Sequence, residues 1–390
     1  MNLELNPAAK TKTIFLFGYF GAGNIGDELI LTAFLTMLDS RGAPFDVIVA
    51  SGECGGAPAH YAARYPNLNI RVIKRSKNPL CFNNVRAFYS SCAFIMPGGG
   101  IFQDYGVLSF LCYYSFLLCA KAAGDKNYLL YQGFTGIKKG FFKKMMNFAS
   151  SRLIDYISVR DEKSAKFLPD GSFQNGCGKG IYTDPAFALN TAVRKAVEEN
   201  GRHSGGERFI GFSLRPWKGS SADDIAGALL KIIEKTGFKI KLYSMQKKTD
   251  CDLNAAVVKS LKGNAGDKIS MVEYAPDVFE LARSLAENEL NLGMRFHFTA
   301  VSMMAGVPCI GIAYDEKVSK LYESAGISEL CVSKTDFSSG PDDLASELIC
   351  KIRYIVENRA RLAETVEKFA AGDEKKAGIL FGDFYEKCLA

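Results

Sequence analysis

The sequence predicts an α/β protein built from two Rossmann-like domains facing each other across a cleft. They cover residues 1–190 and 191–390, the second with a helical C-terminal tail. Three observations lead there. At roughly 150 residues per domain, a chain of 390 residues is too long for one ordinary core. Short apolar runs alternate with helical patterns, as in a parallel sheet covered on both faces. The alternation stops in the polar stretch 191–207, the best linker candidate by its Gly, Ser and charge content, and then starts again.

In the first half, TIFLFG reads as a strand, and GDELILTAFLTMLDSRG as a helix stopped by Gly42. FDVIVAS and IRVIK are β-branched strands, and AFIMPGGG is a strand ending in glycines. Residues 105–124 read as a helix, KNYLLYQG as a strand, and FFKKMMNFASSRLID as an amphipathic helix. YISVRD is a strand that leads into the helix EKSAKFL. In the second half, RFIGFSLRPW, FKIKLYSM, LNLGM and CIGIAYD are strands. DDIAGALLKIIEKTG and FTAVSMMAG are helices stopped by Gly237 and Gly306, DVFELARSLAE is a third helix, and the last fifty or so residues are helical and charged.

Composition excludes several classes. A net charge of +6 with no basic block does not suggest a nucleic-acid partner, and it suits an enzyme handling small anions. Eleven cysteines, an odd number with no C-x-x-C pair, argue against a disulfide framework and a zinc site and point to a reducing cytoplasm. The apolar run 105–120 is shorter than the ~20 residues of a spanning helix and reads as a buried core helix. No zinc-protease or P-loop pattern is present, so the expected metal is none.

Ligands of parallel sheets bind beyond the carboxyl ends of the strands, and five groups of residues fall there. The opening loop GYFGAGNIGDE holds Gly21, Gly23 and Gly26 in dinucleotide spacing, with Asn24 between them. Asp27 and Glu28 follow at once. They suit a helix N-terminus and would repel a pyrophosphate, so the loop reads as a tight turn or a substrate-facing wall rather than a cofactor site. PGGGIFQD offers close backbone approach at Gly98, Gly99 and Gly100, a hydrogen bond from Gln103 and a carboxylate at Asp104, or simply packing. In SVRD, Arg160 can fork onto an anion or pair with Asp161 on the surface. SLRPW supplies Arg215, in the matching loop of the other half, beside the single tryptophan Trp217. GMRFHFTAVSMMAGVP is the sharpest signal: Arg295 and His297 sit where a short strand gives way to an apolar helix. His297 is able to exchange a proton near neutral pH; the bland alternative is a histidine satisfied by backbone. His60 and His203 lie in polar, loop-like contexts.

In that order, GYFGAGNIGDELIL, MPGGGIFQD, SVRDEKS, TDPAF, SLRPW and MRFHFTAVSMMAGVPCIGIAYDEKV resemble the polysaccharide pyruvyl transferase family over about residues 13 to 320, most closely its bacterial cell-wall and exopolysaccharide branch. The resemblance implies a GT-B-like fold. It also implies transfer of the enolpyruvyl unit of phosphoenolpyruvate onto two hydroxyls of one sugar as a ketal, with release of phosphate and no cofactor. By motif the family's anion-binding arginines map onto Arg160, Arg215 and Arg295, its histidine onto His297 and its first-loop aspartate onto Asp27; His297, Arg295 and Asp27 are expected to be catalytic. Arg160, Arg215, Gly98, Gly99, Gly100, Asn24 and Gln103 are the substrate-binding set. Where relatives carry G-Q-G-I-G-P, this chain has YQGFTGIKK, which bears on the acceptor. A nucleotide-sugar glycosyltransferase of GT-B type is the alternative, and a non-catalytic sugar-binding protein and a dehydrogenase are more distant ones. The segment KKGFFKK, 138–144, is either a solvated helix face or a peripheral contact with the inner face of the membrane, useful for a lipid-linked saccharide acceptor.

Overall fold

The computed structural model describes residues 12–53, 57–103, 106–134, 137–168, 180–200, 207–216, 221–261, 263, 265–314, 316–332 and 341–390. Asp104, Thr135, Gly136, His203, Trp217 and Asp315 lie outside them. The chain divides into two compact units: Met1–Ala22, Ala33–Pro185 and Lys376–Ala390 form one, and Gly23–Thr32 with Ala186–Lys375 form the other. The second unit thus starts five residues before 191, takes in the start of the first helix, and gives the end of the last helix to the first unit.

The first unit is a six-stranded parallel sheet of β1 (Lys12–Phe17), β2 (Phe45–Ser51), β3 (Leu68–Lys74), β4 (Ala93–Met96), β5 (Lys126–Gln132) and β6 (Tyr156–Val159), in the order β3-β2-β1-β4-β5-β6. Its central strands are buried on both faces, which is why they read as unbroken apolar runs. The connecting helices are α1 (Ile25–Asp39), α2 (Ala57–Arg64), α3 (Phe82–Ser90), α4 (Val107–Ala123), α5 (Gly140–Arg152) and α6 (Glu162–Phe167). His60, expected in a loop, is on α2. The α3–α5 layer covers one face through an aromatic core in which Phe17 stacks on Phe116 at 3.8 Å.

The second unit repeats the plan with β7 (Phe209–Ser213), β8 (Lys239–Tyr243), β9 (Ile269–Val272), β10 (Leu290–Gly293), β11 (Cys309–Ile312) and β12 (Cys331–Val332), in the order β12-β11-β10-β7-β8-β9. Its helices are α7 (Asn190–Asn200), α8 (Ala222–Thr236), α9 (Thr249–Ser260), α10 (Val278–Ala286), α11 (Phe296–Met304), α12 (Glu316–Ser324) and α13 (Pro341–Cys388), the last kinked at Asn358. A capping box between Ser221 and Asp224 starts α8, and left-handed Gly237 ends it. In both sheets the strand order reverses at the centre, between β1 and β4 and between β7 and β10. That reversal is where ligands of such folds bind.

Two expectations fail. The linker candidate 191–207 is helical over its first part, because Val193 and Val197, one turn apart, are buried and anchor α7. The run 105–120 is not a helix buried all round. On α4, Phe110, Phe116, Leu117 and Ala120 face the core, while Leu108 is 84% exposed and Leu111 and Leu118 also meet solvent.

Candidate functional site

In the second unit, residues just past the carboxyl ends of four adjacent strands carry the polar groups: Arg215 after β7, Gln246 after β8, Arg295 after β10 and Tyr314 after β11. Arg215 donates from Nη1 to the Tyr314 hydroxyl, and its guanidinium carbon lies 4.4 Å from that ring's centroid. The tyrosine thereby fixes the plane of the guanidinium.

Arg295 is held differently. Asp250, fully buried in the first turn of α9, accepts from the Met245 and Gln246 amides through Oδ2, at 3.1 and 3.0 Å. Its Oδ1 accepts from Thr249 Oγ1 and pairs with Arg295 Nη2. The same Arg295 nitrogen donates to Gln246 Oε1 at 3.1 Å. Arg295 therefore spends one nitrogen on a buried carboxylate and is not wholly free to fork onto a substrate. Its Nε is buried and has no hydrogen-bond partner among the described residues. Arg295 is also the N-cap of α11, where no side chain caps the helix.

The opening loop belongs to this assembly. Asn24 bridges Gln246 in antiparallel fashion, the Ile25 amide donates to Met245 O at 3.0 Å, and the Lys247 amide donates to Gly23 O at 2.8 Å. Asn24 then caps α1. Its Oδ1 accepts from the Gly26 amide at 3.3 Å, its carbonyl from the Asp27 and Glu28 amides, and its Nδ2 donates to Asp27 Oδ2 at 2.5 Å. The four amides at the start of α1, normally the anion-binding ones, are all occupied.

The glycines now have separate reasons. Gly21 has a φ of +64° and backs onto the Gly52 and Glu53 amides; a Cβ on Gly23, at φ +75°, would press on Lys247. A Cβ on Gly26 would overlap the imidazole of His297. Gly26 is thus the seat of His297, whose ring also meets the Phe296 ring edge-on at 5.2 Å. One compact unit brings together Asn24, Asp27, Arg215, Arg295 and His297.

The first unit gathers the rest of the predicted set. Gly99 bridges Gln132, and the Gly133 amide donates to Gly99 O at 2.9 Å. A Cβ on Gly100 would press on Gln103 Nε2, and one on Gly133 would meet Arg160 Nε at 2.9 Å, so the Arg160 guanidinium lies flat against bare backbone. Arg160 does not pair with Asp161, which instead caps α6 by accepting from the Ser164 amide at 2.7 Å. Its partner is Asp184 of the TDPAF segment, at 3.0 Å, with both side chains largely buried. Sequence reasoning singled out neither Asp184, Gln246, Asp250 nor Tyr314. Asp184 and Tyr314 at least fall inside quoted motifs, whereas Gln246 and Asp250 carry no local signal.

The chain is 23% identical over 301 residues to the amylovoran biosynthesis protein AmsJ of Erwinia amylovora, covering 71% of this chain and 68% of that protein. Among solved structures it resembles S. aureus MnaA with UDP (TM-score 0.63, 10% identity, 97% of this chain and 98% of that one). It also resembles Anabaena HepE with UDP-glucose (0.59, 13%, 96% and 98%) and a glycosyltransferase of Rickettsia africae (0.54, 12%, 98% and 100%). At such identities these likenesses show the GT-B type of fold alone. The sequence model for polysaccharide pyruvyl transferases matches residues 24–316, from the Asn24 cap to the helix beyond Tyr314, and the chain belongs to that family.

Proposed function

We propose that this protein transfers the pyruvyl unit of phosphoenolpyruvate to a sugar of a cell-surface polysaccharide or its lipid-linked precursor, on the cytoplasmic side, forming a cyclic ketal and releasing phosphate. The observation that carries the reading is the seating of His297 on Gly26, next to Asp27, with Arg295 immobilised beside it by Asp250 and Gln246. A proton-transfer group and a fixed cation stand where two helices begin.

The chemistry asks for both. The methylene carbon of the donor takes a proton and becomes a methyl group, and positive charge develops on the central carbon. One acceptor hydroxyl attacks that carbon and loses its proton. The carbon–oxygen bond to phosphate breaks, and inorganic phosphate leaves with the bond's electron pair. A second hydroxyl closes the ketal and gives up its proton in turn. His297 supplies or removes these protons, and Asp27 orients or deprotonates an acceptor hydroxyl. Arg215 and the remaining edge of Arg295 hold the donor's carboxylate and phosphate, with the uncapped start of α11 adding its dipole. Within the first unit, Arg160, Gly98, Gly99, Gly100 and Gln103 are the proposed substrate-binding residues.

The test is phosphate release from phosphoenolpyruvate across a panel of sugar acceptors, with the product mass checked for one added pyruvyl group. Turnover of a UDP-sugar with no use of phosphoenolpyruvate would instead establish the nucleotide-sugar glycosyltransferase reading.

A further inference from the structure

The outer surface of the α3–α5 layer has a composition that the reaction does not use. Nine of the thirteen large apolar side chains exposed among the described residues lie between Leu80 and Phe148. Helical spacing gathers them. Phe82 and Tyr89 flank Arg86 on α3, Leu108, Leu111 and Leu118 share a face of α4, and Phe141, Lys144 and Phe148 follow one another on α5. The helices are neighbours: α3 packs on α4, Tyr114 donates to Met145 O at 3.3 Å, and Phe110 and Phe142 lie 4.4 Å apart. Their inner faces fill the aromatic core, so these side chains point away from the sheet.

Charge on this stretch is one-sided. Residues 75–152 hold ten Lys and Arg, two Asp and no Glu; Lys121 and Lys126 pair with Asp155 just beyond, and Arg86, Lys143 and Lys144 lie exposed on the outer helices. The three helices contain no acidic residue. Exposed apolar groups interleaved with cations and free of anions are what a negatively charged lipid interface selects. A second copy docked by the same face would set like charge against like. Among the described residues no helix is long and apolar enough to cross a membrane, so the contact is one of lying on the surface.

We infer that the α3–α5 layer docks this protein on an anionic lipid surface, with Leu108, Phe141 and Phe148 entering the acyl boundary and Arg86, Lys143 and Lys144 meeting the headgroup phosphates. The inference is independent of the proposed chemistry, since the test uses vesicles that carry neither sugar nor phosphoenolpyruvate. The full chain is co-sedimented with phosphatidylcholine vesicles and with phosphatidylcholine–phosphatidylglycerol vesicles. Binding is expected to the anionic vesicles only, and to fall with added salt. The double variant Lys143→Gln, Lys144→Gln should partition roughly 25-fold less, about fivefold per lysine. Phe141→Ser with Phe148→Ser should weaken binding at every salt concentration, and both pairs should keep the wild-type circular dichroism melt because all four side chains are exposed. A wild type that stays in the supernatant with both vesicles overturns the inference. So does binding that ignores the lysine changes, or a dimer that the phenylalanine changes dissolve, which would assign the layer to a second copy.

Discussion

Gly26→Ala isolates the claim that Gly26 exists to seat His297. The change adds one methyl group to the first turn of α1, a place where alanine is otherwise the better helix former by roughly 0.5–1 kcal/mol. A Cβ built there has three imidazole atoms within 3.0 Å, while ordinary contact begins at 3.4 Å. The ring must therefore retreat by about 1 Å, and a misplacement of that size costs on the order of 10²-fold in rate. Phosphate release should show kcat down by about that factor, with a thermal midpoint close to wild type, because the helical gain offsets the displaced ring. The decisive arm repeats the change in a His297→Ala background, where the methyl group has nothing to displace and should cost little more. A Gly26→Ala variant with wild-type kcat, or an equal loss with and without the imidazole, refutes the reasoning.

His297→Ala alone should lower kcat by about 10²–10⁴-fold, the usual worth of a positioned acid or base, with an unchanged urea midpoint. Asp250→Asn leaves the Arg295 charge without its buried partner and should cost about 3–5 kcal/mol in urea unfolding; adding Arg295→Met should recover part of that loss. Asp125 gives a pH signature. Burial raises its carboxyl to about 7, against the lowering effect of its bond from Ser91. An acid raised in the folded state binds its proton more tightly there, so its stabilising contribution is full below about pH 4 and is lost as pH climbs through about 7. Asp125→Asn should thus match wild type near pH 4 and exceed it by at most about 4 kcal/mol at pH 8, read from urea midpoints at the two pH values.

What was legible in the sequence was local. The strand TIFLF and the glycines after AFIM each declare themselves within a few residues, as do Arg295 and His297 at a strand–helix junction, because backbone geometry and neighbouring side chains decide them. The partners of those residues were not legible. Asp250 lies 45 positions from Arg295, in a charged run with no apolar periodicity, and only the sheet order, with β8 and β10 on either side of β7, brings the two together. The start of α7 hid for a related reason, since two valines among charges carry little periodic signal. On α4 the error ran the other way. A helix apolar on all sides reads as core, and nothing local says that one side of it has no protein to bury against.

The glycine triplet is not built to hold a pyrophosphate. Proteins of this fold have been solved with UDP, and Gly21, Gly23 and Gly26 have dinucleotide spacing. A pyrophosphate at such a loop needs unpaired amides at the start of the helix. Here the amides of Ile25, Gly26, Asp27 and Glu28 are committed to Met245 and Asn24, and the space over Gly26 holds an imidazole. The other helix start at the site, α11, has no side-chain cap and carries Arg295 at its head. The two helix starts therefore differ: the α1 amides are taken and two carboxylates follow them, whereas α11 has no side-chain cap and carries Arg295. We propose that the reaction uses this difference, with an anionic donor at α11 and an acceptor hydroxyl beside Asp27.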